Sequence, residues 1–315
     1  MMRKLTGLIL GLVLLFELGV AVLLVLAQPK GFGSLLDFNI DLNGIQHRQE
    51  LAAQTFETNG TAGAIVVNSV SGPVEVVGVA GSNQVVVRAT KVTYSDNSNA
   101  FDRMSFGVEQ RGKDIYIQVK RAGDPVINLL GNDRVELQIS APTFMMAQIT
   151  TNNGTISASN FDNLDARHRF ESQNGRITLS NIKATMVEVY GHNGALNLDT
   201  ISGTLQGETN NGQIVARDVN VNVTSLRSDN GQIELQGKLE QTGNGSIQTH
   251  NGSVQLRLTE GSSVRFDAST GSGQVRFGLA SQSFSLQQRN HVVTTGNGPV
   301  INVRSDNGNV TIEQS

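Results

Sequence analysis

One dipeptide governs what this chain can fold into. Asn-Gly occurs 11 times in 315 residues, whereas 29 Asn and 34 Gly would meet by chance about three times. From residue 151 its glycines return as Gly154, Gly175, Gly194, Gly212, Gly231 and Gly252, at gaps of 21, 19, 18, 19 and 21 residues. A degenerate copy, Gly271-Ser272-Gly273, follows, and Asn297-Gly298 and Asn307-Gly308 come last. A fixed period near 20 marks a structural repeat whose units cannot bury an apolar face alone and therefore stack.

Aligning the copies on the Gly exposes a phase. Two and four residues after it stand Ile156/Ala158, Ile177/Leu179, Leu196/Leu198, Ile214/Ala216, Ile233/Leu235, Val254/Leu256, Val275/Phe277 and Val310/Ile312. Five before it stand Ile149, Phe170, Val189, Gly207, Leu226, Ile247, Ala268 and Val303, and three before it almost every residue is Ser or Thr. Phe161, Ile182, Ile201 and Val219 lie seven after it in the first four copies. Each unit therefore reads as strand, Asn-Gly corner, strand, second corner.

Stacked about 4.8 Å apart, like residues lie above one another. The corner glycines are expected to supply positive φ, at Gly194, Gly212 and Gly231 in particular. The asparagines are expected to form a ladder of amide hydrogen bonds up the stack. Asn-Gly between alternating apolar runs is also a strong hairpin signal, so an antiparallel meander competes. Recurrence of one residue type at one phase favours the parallel stack, because stacking rewards it and independent hairpins do not. Ile177, Leu196, Ile214 and Ile233 would then form one core column. The fold class is all-β: a single-stack parallel β-solenoid of about 20-residue rungs over 151–315. An N-terminal strand and hairpin region over 55–150 precedes it, with alternating runs such as GPVEVVG (72–78), DIYIQVK (114–120) and RVELQIS (134–140).

The N-terminus reads differently. Of the 23 residues from 5 to 27, 18 are Ala, Val, Ile, Leu or Phe. A helix of that length spans about 34 Å, enough for a bilayer core of about 30 Å. Arg3 and Lys4 precede it, which keeps the N-terminus cytoplasmic and places the rest of the chain outside. Residues 1–27 are thus a signal anchor, with transmembrane segment 5–27, and 28–54 a tether with a short amphipathic stretch near Gln46–Ala53. The alternative is a signal peptide cleaved at Ala27 and a secreted body. Glu17, mid-span, is a tolerated carboxyl in a single-pass helix. The chain has no Cys, which excludes disulfides and thiolate metal sites. Its net charge of −3 with no basic block gives no footprint for nucleic acid.

At this point the residues resemble a known family. FETNGTAGAIVVNSVSGPVEVVG (56–78), VVVRATK (85–91), VELQISAPTFMMAQITTNNGTISAS (135–159), the Asn-Gly ladder and GNGPVINVRSDNGNVTIE (296–313) are similar to the bacterial putative-adhesin β-strand-repeat family. The similarity covers roughly residues 55 to 315. It implies an extracytoplasmic strand-repeat solenoid, frequently membrane-tethered and in some bacteria accompanying envelope-stress systems. It brings no catalytic residues to carry over.

A search for chemistry yields little. His192 and His250 share a phase but lie three rungs apart, about 14 Å, too far for one zinc that needs nitrogens at about 2 Å. Both read as surface corner residues. His168 falls at an inward phase and reads as a satisfied or rim histidine. The outward row five after the Gly runs Ser159, Ser180, Asp199, Arg217, Gln236, Arg257. The row four before it runs Glu171, Tyr190, Glu208, Arg227, Gln248. Neither row puts two acids on adjacent rungs, as a polysaccharide lyase or hydrolase would require. Asp199 over Arg217 and Glu208 over Arg227 read as cross-rung ion pairs. Walker, nucleophile-elbow and zinc signatures are absent. Sugar platforms are scarce, with only Tyr94, Tyr116 and Tyr190 and no Trp.

The expectation is a non-catalytic, membrane-anchored, adhesin-like binding or scaffold protein of the bacterial envelope, without metal or cofactor. Its partners would be the membrane, through 5–27, and an envelope polymer or protein. A self-associating structural solenoid, joined through its ends, is the first alternative. A polysaccharide-active β-helix enzyme is the second.

Overall fold

The computed structural model describes residues 46–95, 99–121, 133–262, 264–279, 283–295 and 298–314, all within the compact unit Ile45–Ser315. The apolar span 5–27, the cleavage alternative at Ala27 and the tether as far as residue 45 lie outside these residues. Among the described residues no helix is long and apolar enough to cross a membrane.

Among the described residues strand follows strand, interrupted by one 3₁₀ turn at Phe101–Arg103. The N-terminal elements are β1 (His47–Glu50), β2 (Gln54–Glu57), β3 (Ala64–Ser71), β4 (Val74–Val79), β5 (Gln84–Thr93), β6 (Met104–Arg111), β7 (Asp114–Arg121), β8 (Arg134–Pro142) and β9 (Met146–Asn153). The repeat supplies β10 (Ile156–Ser172), β11 (Ile177–Gly191), β12 (Leu196–Thr209), β13 (Ile214–Ser228), β14 (Ile233–Leu239), β15 (Gly245–Thr249) and β16 (Val254–Leu258). The chain continues through β17 (Arg265–Thr270), β18 (Val275–Gly278), β19 (Phe284–Gln287), β20 (His291–Thr294), β21 (Val300–Ser305) and β22 (Val310–Gln314).

The pairing is the parallel stack and not the meander. Ile177, Leu196, Ile214 and Ile233 are successive register partners on parallel strands. The same column runs on through Ile156, Val74 and Leu137 in one direction and Val254, Val310 and Val275 in the other. All but Val275 are buried. Each such Ile, Leu or Val contributes about 1.5–3 kcal/mol by leaving water. Gly207, a glycine in an apolar column, leaves room that Leu226 and Leu196 fill, their methyls 3.0 and 3.8 Å from where a Cβ would stand.

Each rung carries one strand before its corner and one after it. The pre-corner ladder runs β6, β7, β3, β9, the C-terminal halves of β10 to β13, then β15, β21, β17, β20 and β19. The post-corner ladder starts with β1 and β2 on β5. It then runs β8, β4, the N-terminal halves of β10 to β13, β14, β16, β22 and β18.

Two departures from the sequence reading follow. The first is rung order. The rung of Asn307-Gly308, expected last, lies between β15/β16 and β17/β18, and the Gly271–Gly273 rung is the outer one. The other end mirrors this, with β3/β4 between β7/β8 and β9/β10. Much of the N-terminal β region therefore belongs to the same stack. The second concerns the stretch near Gln46–Ala53. His47–Glu50 is a strand, antiparallel to β5 from His47↔Thr93 to Glu50↔Thr90, so the sheet begins inside the expected tether. Antiparallel strands close the ends: β5 on β8, β6 on β7 and β20 on β17.

Candidate binding surface

The corner ridge is built from three columns. Gly154, Gly175, Gly194, Gly212, Gly231 and Gly252 each lie between the strand that precedes and the strand that follows. None has positive φ, so the conformational role expected of Gly194, Gly212 and Gly231 is overturned. Their need for glycine comes from close approach. A Cβ on Gly194 would overlap the carbonyl oxygen of Gly175; on Gly212, that of Gly194; on Gly231, that of Gly212. Positive φ falls instead at the second corner, six residues on, at Asn160 (63°), Asn181 (52°), Thr200 (55°) and Asp218 (51°).

Beside the glycines runs a buried hydroxyl column. Ser172 Oγ donates to Gly154 O at 2.8 Å, Thr209 Oγ1 to Gly194 O at 3.0 Å and Ser228 Oγ to Gly212 O at 2.8 Å. Thr249 and Ser305 repeat the bond to Gly231 and Gly252. Each hydroxyl thus satisfies a carbonyl of the neighbouring rung that would otherwise be buried unpaired. Outside lies the amide ladder. Asn174 Nδ2 donates to Asn153 Oδ1 at 2.7 Å, and Asn193, Asn211, Asn230, Asn251 and Asn307 continue it at 2.7–2.9 Å.

The histidines divide by position. His168 is fully buried between Phe161 and Phe170, at ring-centroid distances of 5.1 and 6.1 Å. Ala147 N–H donates to its Nδ1 at 3.1 Å, while Nε2 has no partner. It is therefore half satisfied and not at a rim, and burial pushes its pKa down to about 4. His192 stays at a corner, where its backbone N–H bonds Ser172 O and its carbonyl accepts from Asn210 and Asn211. His250 does more: its Nδ1 lies 2.6 Å from Asp306 Oδ2. Among the described residues no group of three or more His, Cys, Asp or Glu is placed to hold a metal.

Charges on the outward rows pair along the stack. Asp199↔Arg217 and Glu208↔Arg227 are register partners. Arg217 nevertheless reaches Glu234, at 3.6 Å, and not Asp199. Glu234 has the longer side chain and lies one row nearer the corner. It also meets Arg257 at 3.5 Å, which meets Glu313 at 3.1 Å. Arg227 Nε is 4.0 Å from Glu208, but its Nη2 is 2.9 Å from Asp229. Each tyrosine carries a guanidinium on one face, Arg134 over Tyr94, Arg111 over Tyr116 and Arg169 over Tyr190, at 5.9, 5.0 and 4.4 Å.

Where the displaced rung enters, the rows form a groove of about 210 Å³. Arg227, Gln248 and Arg304 stand in register in its first row, from β13, β15 and β21. Asp229, His250 and Asp306 stand beside them, two residues nearer the corner. Asp229 holds Arg227 at 2.9 Å and Asp306 holds Arg304 at 2.8 Å, each within its own rung. Arg304 and then His250 keep the Asp306 carboxyl below its ordinary range. Sequence order leaves this group unseen, because it sets the Gly271–Gly273 rung, and not Arg304, beside Gln248.

No curated protein matches the chain. Among solved structures, one described as a putative cell adhesion protein from Clostridium sporogenes ATCC 15579 aligns over 85% of this chain and 100% of its own. The identity is 13% and the TM-score 0.28. The model of the Toastrack DUF4097 family matches residues 64–313, most of the chain, and the chain belongs to that family.

Proposed function

We propose that the chain is a non-catalytic, adhesin-like binding or scaffold module of the bacterial cell envelope, held to the membrane by residues 5–27 with its body outside. One observation supports this most: long runs of outward polar groups bond one another along the stack. The Asn ladder and the Arg217–Glu234–Arg257–Glu313 chain run from rung to rung. Such a surface is stiff and periodic, about 50 Å long for ten rungs at about 4.8 Å. That suits display and attachment. General acid–base work needs titratable groups that converge on one reacting atom. Among the described residues the one strongly shifted group, His168, is sealed in the core.

The topology rests on Arg3 and Lys4 ahead of the apolar span. Self-association through an end would run through β18, the outermost post-corner strand. The test is made on the full chain in intact spheroplasts, with a photo-crosslinking residue at outward Gln255. External protease should remove the body, and the crosslinker should capture an envelope component. A body protected until lysis overturns the topology. Crosslinking sites along both outward rows that capture nothing overturn the binding role.

A further inference from the structure

Resting on that reading, we propose that the groove over Gln248 binds an acidic polysaccharide. Its chain would lie along the stack, with carboxylates on alternate sugars. Three features of the groove carry this. First, the lining is planar and polar: two guanidiniums, an amide, an imidazole and two carboxylates. Such groups exchange hydrogen bonds with the hydroxyls of a sugar and satisfy both its donors and its acceptors.

Second, the guanidiniums are held in place yet not used up. Asp229 and Asp306 take one edge of each. Among the described residues, Nη1 of Arg227 and both Nη groups of Arg304 have no hydrogen-bond partner. An arginine so oriented meets a carboxylate with little loss of side-chain freedom. Gln248 and His250 take the places of Arg and Asp in the rung between. His250 turns its Nδ1 to Asp306, which leaves Nε2 as a further polar contact.

Third, the spacing fits. Arg227 and Arg304 stand two rungs apart, about 9.6 Å. One carboxylate cannot bridge guanidiniums tied to their own rungs at that distance. An extended polysaccharide advances about 5 Å per sugar, close to the rung spacing of about 4.8 Å. One sugar would lie over Gln248 and His250, and its two neighbours would bring acidic groups to Arg227 and Arg304.

The experiment titrates the full-length protein, in detergent, with labelled hyaluronan octasaccharide, which carries a carboxylate on alternate sugars. Neutral chitin hexasaccharide and poly(glycerol phosphate) are titrated in parallel. Hyaluronan should bind in preference to both. Arg227→Gln and Arg304→Gln should each weaken it about tenfold. Arg276→Gln, which removes the same charge from exposed β18, should leave affinity unchanged. Because the groove side chains are largely exposed, melting temperatures should hold across the series. Equal binding of the neutral oligosaccharide, tighter binding of the phosphate polymer, no binding of hyaluronan, or indifference to both arginine changes would each overturn the proposal. If Gln255 captures an envelope component while hyaluronan does not bind, the adhesin reading stands and this ligand falls. If hyaluronan binds through both arginines but the body proves cytoplasmic, the groove stands and the envelope role falls.

Discussion

The two corners of a rung turn the chain by different means. At the first, from Gly154 to Gly252, glycine recurs because the rung beneath comes too close for any Cβ, while φ is not positive. At the second, positive φ recurs, yet Asn160, Asn181, Thr200 and Asp218 occupy it. Glycine is thus absent from four positions where conformation would favour it and present where only space demands it. The contrast teaches that a conserved-looking phase of glycine in a stack reports on the neighbouring rung as much as on its own backbone.

Gly212→Ala should break the first corner most severely. Its methyl would meet a backbone carbonyl that cannot move without parting two rungs. A loss of about 3 kcal/mol or more is expected, a drop in Tm of about 6–12 °C. A melt unchanged by this substitution would show that the stack opens there at little cost. Acid should act most strongly elsewhere, in the core at His168. Unfolded His168 takes up a proton near its ordinary value of 6.5, and folded His168 only near about 4. The unfolded state binds more protons in between. Stability present above about pH 6.5 is therefore lost as pH falls toward 4, on the order of 3 kcal/mol. Denaturant titrations at pH 7 and 4.5 should show that loss, and His168→Leu should lack it. An equal loss in the variant would remove His168 as the cause.

Ser228→Ala should cost less, about 1–2 kcal/mol, by leaving Gly212 O buried without its donor. A cost near zero would mean water replaces the hydroxyl. The second corner should respond in the opposite direction. Thr200→Asn replaces a β-branched residue at φ 55° with a type already used at Asn160 and Asn181. It would also extend the bond from Asn181 Nδ2 to Asn160 Oδ1, now 2.9 Å, by one more rung. A gain of about 0.5–1 kcal/mol is expected, and a lower Tm would show that Thr200 is held by contacts beyond its φ.

The core columns were legible because period and phase are properties of the repeat itself. Once Ile177 and Leu196 share a phase, stacking places them in register. Three things were not legible. Glycine reads alike whether φ or crowding requires it. Arg217 stacks on Asp199 as expected, but side-chain reach decides its partner, and Glu234 is nearer. Rung order is the largest gap. The Asn307-Gly308 copy has the same phase as every other, so nothing local says that it sits inside the one before it. The groove of Arg227, Gln248 and Arg304 depends on that exchange and stayed hidden with it.

That exchange has a consequence for how the protein is made. A nascent solenoid can lay down β10 to β16 as each rung emerges, since every new rung rests on the last. The next segment to emerge, β17 and β18, finds its seat missing, because its parallel partners β21 and β22 have yet to emerge. It must wait until residues 300–314 appear and bridge a sequence gap of 56 residues, from Val254 to Val310. Loop closure over that span is slow compared with adding a neighbouring rung. Folding of this end therefore turns on a keystone step, and a chain stopped short of β21 leaves both the growing face and the waiting β19–β20 hairpin uncovered.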